Sequence, residues 1–179
     1  MRGRGLTALM DAYLAIVSKR EVRNYADRPL ADDAVRRILE AGRVAGSSRN
    51  RQARRFIALR DKALIERAAA GVYAPQNLLG AALVVAILTR GKGPTSFDAG
   101  RAAQNMMLAA WNEGIGSSPN GIADAEVLAE VLGPAEDESL VILLSFGYPA
   151  RPTDPERRSP QEWIERADRL PFDEVVELR

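Results

Sequence analysis

The sequence predicts an α+β domain, a small mixed or antiparallel sheet surrounded by helices. Three observations lead there. Segments with apolar residues every three or four positions dominate the chain, and runs that read as strands are few. The elements alternate without repeat, in the order α, α, β, α, β, α, α, β, α, with a possible terminal strand. Apolar residues make up 46 % and charged residues 27 % of 179 residues, with 25 Lys and Arg against 24 Asp and Glu. Such a balance fits one domain with a real core and argues for neither a disordered chain nor a nucleic-acid or membrane partner.

Taken in order, Leu6, Leu9, Met10, Tyr13, Leu14 and Val17 share the spacing of one helix face, running to about Lys19. A polar extended stretch, REVRNYADRPL, leads to a second helix over Asp32 to Val44. There Asp32 and Asp33 suit the positive end of the helix dipole, and Val35, Ile38, Leu39 and Gly42 face inward. A turn-rich, arginine-rich segment, GSSRNRQARR, feeds a strand over Phe56 to Leu59. Next come a helix over Lys62 to Ala70, a turn at Ala74-Pro75 and a β-branched strand from Leu83 to Thr89.

GKGP marks a loop before the longest helix, Ser96 to Glu113, whose inner stripe holds Ala99, Ala102, Ala103, Met106, Met107 and Ala110. Gly114 is its C′ residue. GIGSSPNG reads as a loop, small enough in its side chains for a planar ligand to approach the backbone. A helix over Asp124 to Leu132 and a buried strand over Leu140 to Phe146 follow. From Arg151 the chain is polar and punctuated by proline, with a short helix over Gln161 to Ala167 and an extended apolar end, FDEVVEL. A tail of this kind leans on something, and a second copy of the chain is one such partner.

The chain has no His and no Cys. Thiol catalysis, imidazole acid–base chemistry, disulfides and the usual zinc sites are thereby excluded, and no metal site is expected. MRGRG resembles the basic start of a signal peptide, but Asp11 breaks the apolar stretch after it, and Leu78 to Leu88 is too short to span a bilayer. A cytoplasmic protein is expected. Arg43, Arg49, Arg51, Arg54, Arg55 and Arg60 fall in one stretch without a carboxylate. Three readings apply: a solvated basic face, an anion site shared with Ser47, Ser48 and Asn50, or a nucleic-acid arm that lacks interleaved aromatics. Lys19 and Arg20 suit the C-terminal end of the first helix; Arg23 lies beyond it.

These pieces together resemble the nitroreductase family of FMN-dependent oxidoreductases, in order and spacing from about Val17 to Pro160. Lys19 to Tyr25, KREVRNY, resembles the family's opening arginine–serine–arginine–aromatic motif. Ala45 to Gln52 with Arg55-Phe56 resembles its serine–x–x–asparagine–x–glutamine segment and the strand after it. DAGRAAQNMMLAA with GIGSSPNG resembles the central helix and flavin loop. LLSFGYP resembles the late strand ending in Gly-Tyr-Pro, and Arg158 with Pro160 the basic residue and proline that follow.

The resemblance implies an intertwined homodimer with two FMN sites, each built from both subunits, and an exchanged C-terminal arm over about 151–179 wrapping the partner. Residues 1–179 would form one nitroreductase-like domain, with about 1–5 flexible. Lys19, Arg20 and Arg158 would hold the phosphate and ribityl chain, with Glu21 and Arg157 at the same place. Arg23 would lie near N1 and the C2 carbonyl, where a fixed cation stabilises the negative charge of the reduced ring. Ser47, Ser48 and Asn50 would come from the other subunit, and Pro119, Asn120 and Gly121 would lie against the ring near N5. NAD(P)H would reduce the flavin, and a nitroaromatic, quinone or similar acceptor would oxidise it in a ping-pong cycle. The alternatives are a flavin- or nucleotide-binding homologue with little turnover and a dimeric nucleic-acid-binding regulator.

The chain departs from the family pattern at four places. Glu21 replaces a serine at the phosphate and Glu156 a second basic residue, so each carboxylate repels the phosphate unless an arginine such as Arg20 or Arg157 holds it. Gly46 replaces a proline, and Ala53-Arg54 a proline–aromatic pair. The short connection from Ala70 to Phe97 predicts little lid and an open substrate site.

Overall fold

The computed structural model describes residues 10–179; the expectations for residues 1–5, Leu6 and Leu9 lie outside them. The chain divides into two compact units, one of residues up to Lys19 with Asp154–Arg179, the other Arg20–Thr153.

The larger unit is organised by two apolar strands. β2 (Leu83–Arg90) is buried at every residue up to Arg90, and β4 (Glu138–Gly147) pairs with it antiparallel, Leu83 opposite Phe146. The register shifts between Ile87 and Leu88. β1 (Arg54–Leu59) adds to the other side of β2, and β3 (Gly116–Asn120) to the other side of β4, giving the antiparallel order β1-β2-β4-β3.

Because successive side chains alternate across a strand, β2 feeds two cores. Leu83, Val85 and Ile87 pack with α2 (Asp32–Arg43) and α5 (Thr95–Asn112), around Ile38, Met106, Leu144 and Phe146. Val84, Ala86 and Leu88 pack with α3 (Lys62–Ala69), α4 (Gln76–Leu79) and α6 (Ala125–Leu132), around Ile65, Leu78, Leu128 and Leu143. Gly42 lets α2 and α5 meet, since a Cβ there would overlap the Met106 side chain. Gly114 ends α5 at φ 72°, the left-handed C′ position read from the sequence.

In the smaller unit α1 (Ala12–Ser18) packs against α7 (Pro160–Glu165) and the 3₁₀ turn Pro155–Arg157. Ser159 and Glu162 form a reciprocal capping box on α7. Trp163 is buried and donates from Nε1 to the Pro155 carbonyl at 2.8 Å.

Four sequence expectations change. GIGSSPNG is not a loop through its length: its centre is β3, which pairs with β4 although its composition is that of a turn. Ala74-Pro75 opens into α4, a four-residue helix the turn reading missed. FDEVVEL is not a strand; Pro171 leads into a single helical turn, α8 (Phe172–Val175), with Asp173 and Glu174 at its start. On α1 the buried positions are Ala15 and Ser18, whereas Tyr13 of the expected inner face is 55 % exposed.

Candidate functional site

Two segments of the larger unit are stitched beside β3. Tyr73 N–H donates to the Gly121 carbonyl, Val72 and Ile122 form an isolated bridge, and the Gly71 carbonyl accepts from Ala123 and Asp124. Between them opens a pocket of about 380 Å³ lined by Arg23, Tyr73, Ala74, Gln76, Asn77, Pro119, Asn120 and Gly121. The structure therefore brings together four residues singled out in the sequence: Arg23, Pro119, Asn120 and Gly121. Tyr73, Gln76 and Asn77 were missed, because they sit where the sequence shows only a turn. Asn77, a buried amide ahead of the apolar pair Leu78-Leu79, was the one available signal.

Arg23 is held in place by its neighbours. Val22 N–H donates to the Ser117 carbonyl at 3.0 Å, Glu21 and Ser117 form a parallel bridge, and Tyr25 bridges Pro149. The Arg23 side chain is exposed and has no hydrogen bond or ion pair among the described residues, so its charge is available to the pocket.

Behind the pocket lies a buried polar chain. The Tyr25 hydroxyl is 2.9 Å from Ser145 Oγ and donates to the Ser145 carbonyl at 3.1 Å. Asn120 Nδ2 donates to the carbonyls of Ser118 and Leu143 and to Ser145 Oγ. Two carbonyl acceptors fix the amide orientation, since the flipped form would set oxygen against oxygen. Asn120 Oδ1 is left buried without a partner, as is Ser117 Oγ. Each such atom costs about 1–3 kcal/mol of lost hydration. Burial pushes the Tyr25 phenol up to about 12, against the lowering effect of its Ser145 hydrogen bond.

Ser47, Ser48 and Asn50 occupy a separate loop of the same unit and do not line this pocket. Arg54 ties that loop down, donating to the carbonyls of Ala45, Gly46 and Asp98. Burial lowers the Arg54 pKa, partly offset by Asp98. Asp98 accepts from Ser48 N–H, and Ser47 Oγ from Gln52 N–H. The neighbouring arginines are similarly employed. Arg55 and Arg90 both grip Glu138, whose carboxyl is held down at about 2 chiefly by its Arg55 hydrogen bond. Arg43 pairs with Glu40, Arg60 with Asp32, and Arg51 donates to the Lys92 carbonyl. The arginine-rich stretch mostly serves the fold.

Lys19, Arg157 and Arg158 belong to the smaller unit. Arg158 lies 5.1 Å from the Trp163 ring centroid, a cation–π contact. Glu156 is exposed, and its N–H caps onto Asp154. Arg20 and Glu21 open the larger unit; neither they nor Lys19 lacks a partner.

The pocket suits one end of the FMN ring. It offers an uncommitted guanidinium, an exposed tyrosine ring and a stretch of backbone at residues 119–121. Gly121 keeps that backbone bare: a Cβ there would come within 3.1 Å of the Tyr73 ring.

Comparison with known proteins gives a consistent result. The model of the nitroreductase family matches residues 16–91 and 89–148. A protein of Archaeoglobus fulgidus assigned as an NADH dehydrogenase/NAD(P)H nitroreductase is 31 % identical over 144 residues, covering 75 % of this chain and 83 % of its own. A crystal structure from Desulfovibrio desulfuricans, assigned as a nitroreductase and solved with FMN, is 27 % identical, with a TM-score of 0.80 over 95 % of this chain and 98 % of that one. A nitroreductase family protein of Clostridium difficile shares the fold at 22 % identity, with a TM-score of 0.79 over 94 % of this chain and 98 % of its own.

Proposed function

Because this chain belongs to the nitroreductase family, we propose that it is an FMN-dependent oxidoreductase. Its substrates are NAD(P)H and a nitroaromatic, quinone or similar small acceptor, which take turns at one site in a ping-pong cycle. The observation that carries this reading is Arg23, an uncommitted cation in a pocket floored by bare backbone. When bound, FMN supplies the redox step by taking hydride from NAD(P)H and yielding it to the acceptor. No protein nucleophile or imidazole is needed, which agrees with a chain that has no Cys or His.

The chain's residues bind and bias that group. Arg23 places fixed positive charge at the N1 and C2-carbonyl edge, favouring the reduced state. Pro119, Asn120 and Gly121, which line the pocket, would hold the flavin ring through their backbone. Lys19, Arg20 and Arg158 would hold the phosphate and ribityl chain, with Glu21 and Arg157 as further cofactor-binding residues. Ser47, Ser48 and Asn50 reach the site from a second copy, consistent with their absence from the lining of their own chain's pocket. Residues 151–179 act as the exchanged arm of a homodimer; Leu170, Phe172, Val175 and Leu178 are each more than 60 % exposed and await a covering surface. The whole chain works as one domain in the cytoplasm, and no helix among the described residues is long and apolar enough to cross a membrane.

An FMN titration of flavin-stripped protein, followed by flavin fluorescence, tests the proposal. Saturable quenching at one FMN per chain, then bleaching by NADH or NADPH, is the expected result. No binding at micromolar FMN overturns it. Binding without bleaching identifies a flavin-binding homologue with little turnover. Arg23→Ala is expected to slow flavin reduction about tenfold or more, the scale of one lost charge interaction in the transition state, and to weaken FMN binding less. Equal losses would put Arg23 on the phosphate. Glu21→Ser tightens FMN if the carboxylate repels the phosphate; unchanged or weaker binding assigns Glu21 a paired, structural role.

A further inference from the structure

α4 borders two cavities. Gln76 and Asn77 line the pocket that holds Arg23, whereas Leu79 lines a second cavity of about 490 Å³. We propose that this second cavity is a binding site for a small organic anion with an aromatic or apolar body, such as an aromatic carboxylate.

The charge comes from Arg28, Arg60 and Lys62, set against Asp27 as the one carboxylate of the lining. Their availability differs. The Arg60 guanidinium is committed to Asp32 and to the Leu30 carbonyl. Lys62 meets Asp27 at 3.6 Å, with both side chains more than 80 % exposed, so an incoming carboxylate can replace that weak partner. The Arg28 side chain has no hydrogen bond or ion pair among the described residues; its guanidinium lies 3.9 Å over the Tyr148 ring. Stacking fixes the guanidinium plane and leaves its N–H edges open, a pre-organised carboxylate receptor.

The apolar part of the site is equally fixed. Tyr25 forms one wall, and its hydroxyl is anchored to Ser145, so the ring cannot swing away. Leu79 stands 56 % exposed against the same space, an apolar surface that a bare inorganic anion would not cover. Gly80 lines the same space, and a Cβ added there would meet only the Tyr25 ring, at 3.9 Å. A cationic rim over an apolar wall selects an amphiphilic anion above phosphate or a neutral arene. The cavity shares no lining residue with the Arg23 pocket, so the two sites can be separated by mutation.

The test is a fluorine-NMR titration of 4-(trifluoromethyl)benzoate into the flavin-free full chain. We expect saturable binding that Arg28→Gln weakens at least fivefold, about 1 kcal/mol. Leu79→Glu, on an exposed position that tolerates a polar side chain, should weaken it similarly by adding a repelling carboxylate. Arg23→Gln should leave it within twofold, and inorganic phosphate should displace the probe poorly. The absence of saturable binding, full affinity in either Arg28→Gln or Leu79→Glu, loss of binding in Arg23→Gln, or equal displacement by phosphate would each overturn the proposal.

Discussion

The tripeptide Gly-Ser-Ser occurs at residues 46–48 and again at 116–118, and the two copies fold differently. The first stays irregular. Arg49, Asn50 and Gln52 follow it at positive φ (52°, 55° and 52°), and Arg54 and Asp98 hold the segment through its backbone. The second copy is β3, paired with β4 from Gly116 opposite Gly147 to Asn120 opposite Leu143. Sequence propensity is the same in both. What differs is the partner within reach: an open strand edge in one case, a guanidinium and a helix-borne carboxylate in the other. Local composition lists the conformations open to a segment, and the nearest unsatisfied backbone groups choose among them.

Glycine substitution should separate the two copies most widely. A Cβ at Gly116 would sit 2.6 Å from Val22 Cβ, an atom no rotamer can move, so Gly116→Val should lower stability by about 3 kcal/mol in a urea melt. At Gly46 the nearest atom is Arg101 Nη2, also at 2.6 Å but at the end of a flexible side chain. Gly46→Val should cost less than about 1 kcal/mol. Similar losses at both positions would break the contrast.

Arg54→Ala should cost about 2 kcal/mol, because three carbonyls lose a charged donor, and Arg54→Lys should not restore it, having no planar fork. Proteolysis within 46–52 would report the loosened loop while leaving β3 protected.

Tyr25→Phe sharpens the picture of the polar chain behind β3. Near neutral pH the lost hydroxyl should cost about 1 kcal/mol. At high pH the sign reverses. The phenol is raised from about 10 to about 12, so the unfolded chain ionises first and wild-type stability falls between those values. The Phe variant should show a shallower decline in alkaline thermal melts. The smallest effect is expected at Ser117, whose buried hydroxyl has no partner: Ser117→Ala should be neutral or stabilising by up to about 1 kcal/mol.

The same contrast explains what was readable in the sequence. β2 announces itself because six apolar residues in a row, Leu83 to Leu88, leave no polar position, and α5 because its alanine stripe keeps helical spacing. β3 is silent, since Ser, Pro and Gly carry no strand signal and only the edge of β4 makes them extended. Arg23 could be singled out because it lies past the helix end that explains Lys19 and Arg20. Tyr73 could not, because the pairing of residues 71–73 with 121–124 that brings it to the pocket is long-range. The terminal VV and the surrounding apolar residues read as a strand, while Pro171 and two following carboxylates are a helix start that the reading passed over.

β3 has one further consequence, for the behaviour of the protein in concentrated solution. It forms one end of the sheet, the place where a strand from another molecule would add and seed a growing polymer. Val22 already occupies the Ser117 carbonyl, and Pro119 has no N–H to offer. The same short segment that floors the pocket thus also refuses a recruiting template, so Pro119 guards the sheet edge against open-ended strand addition.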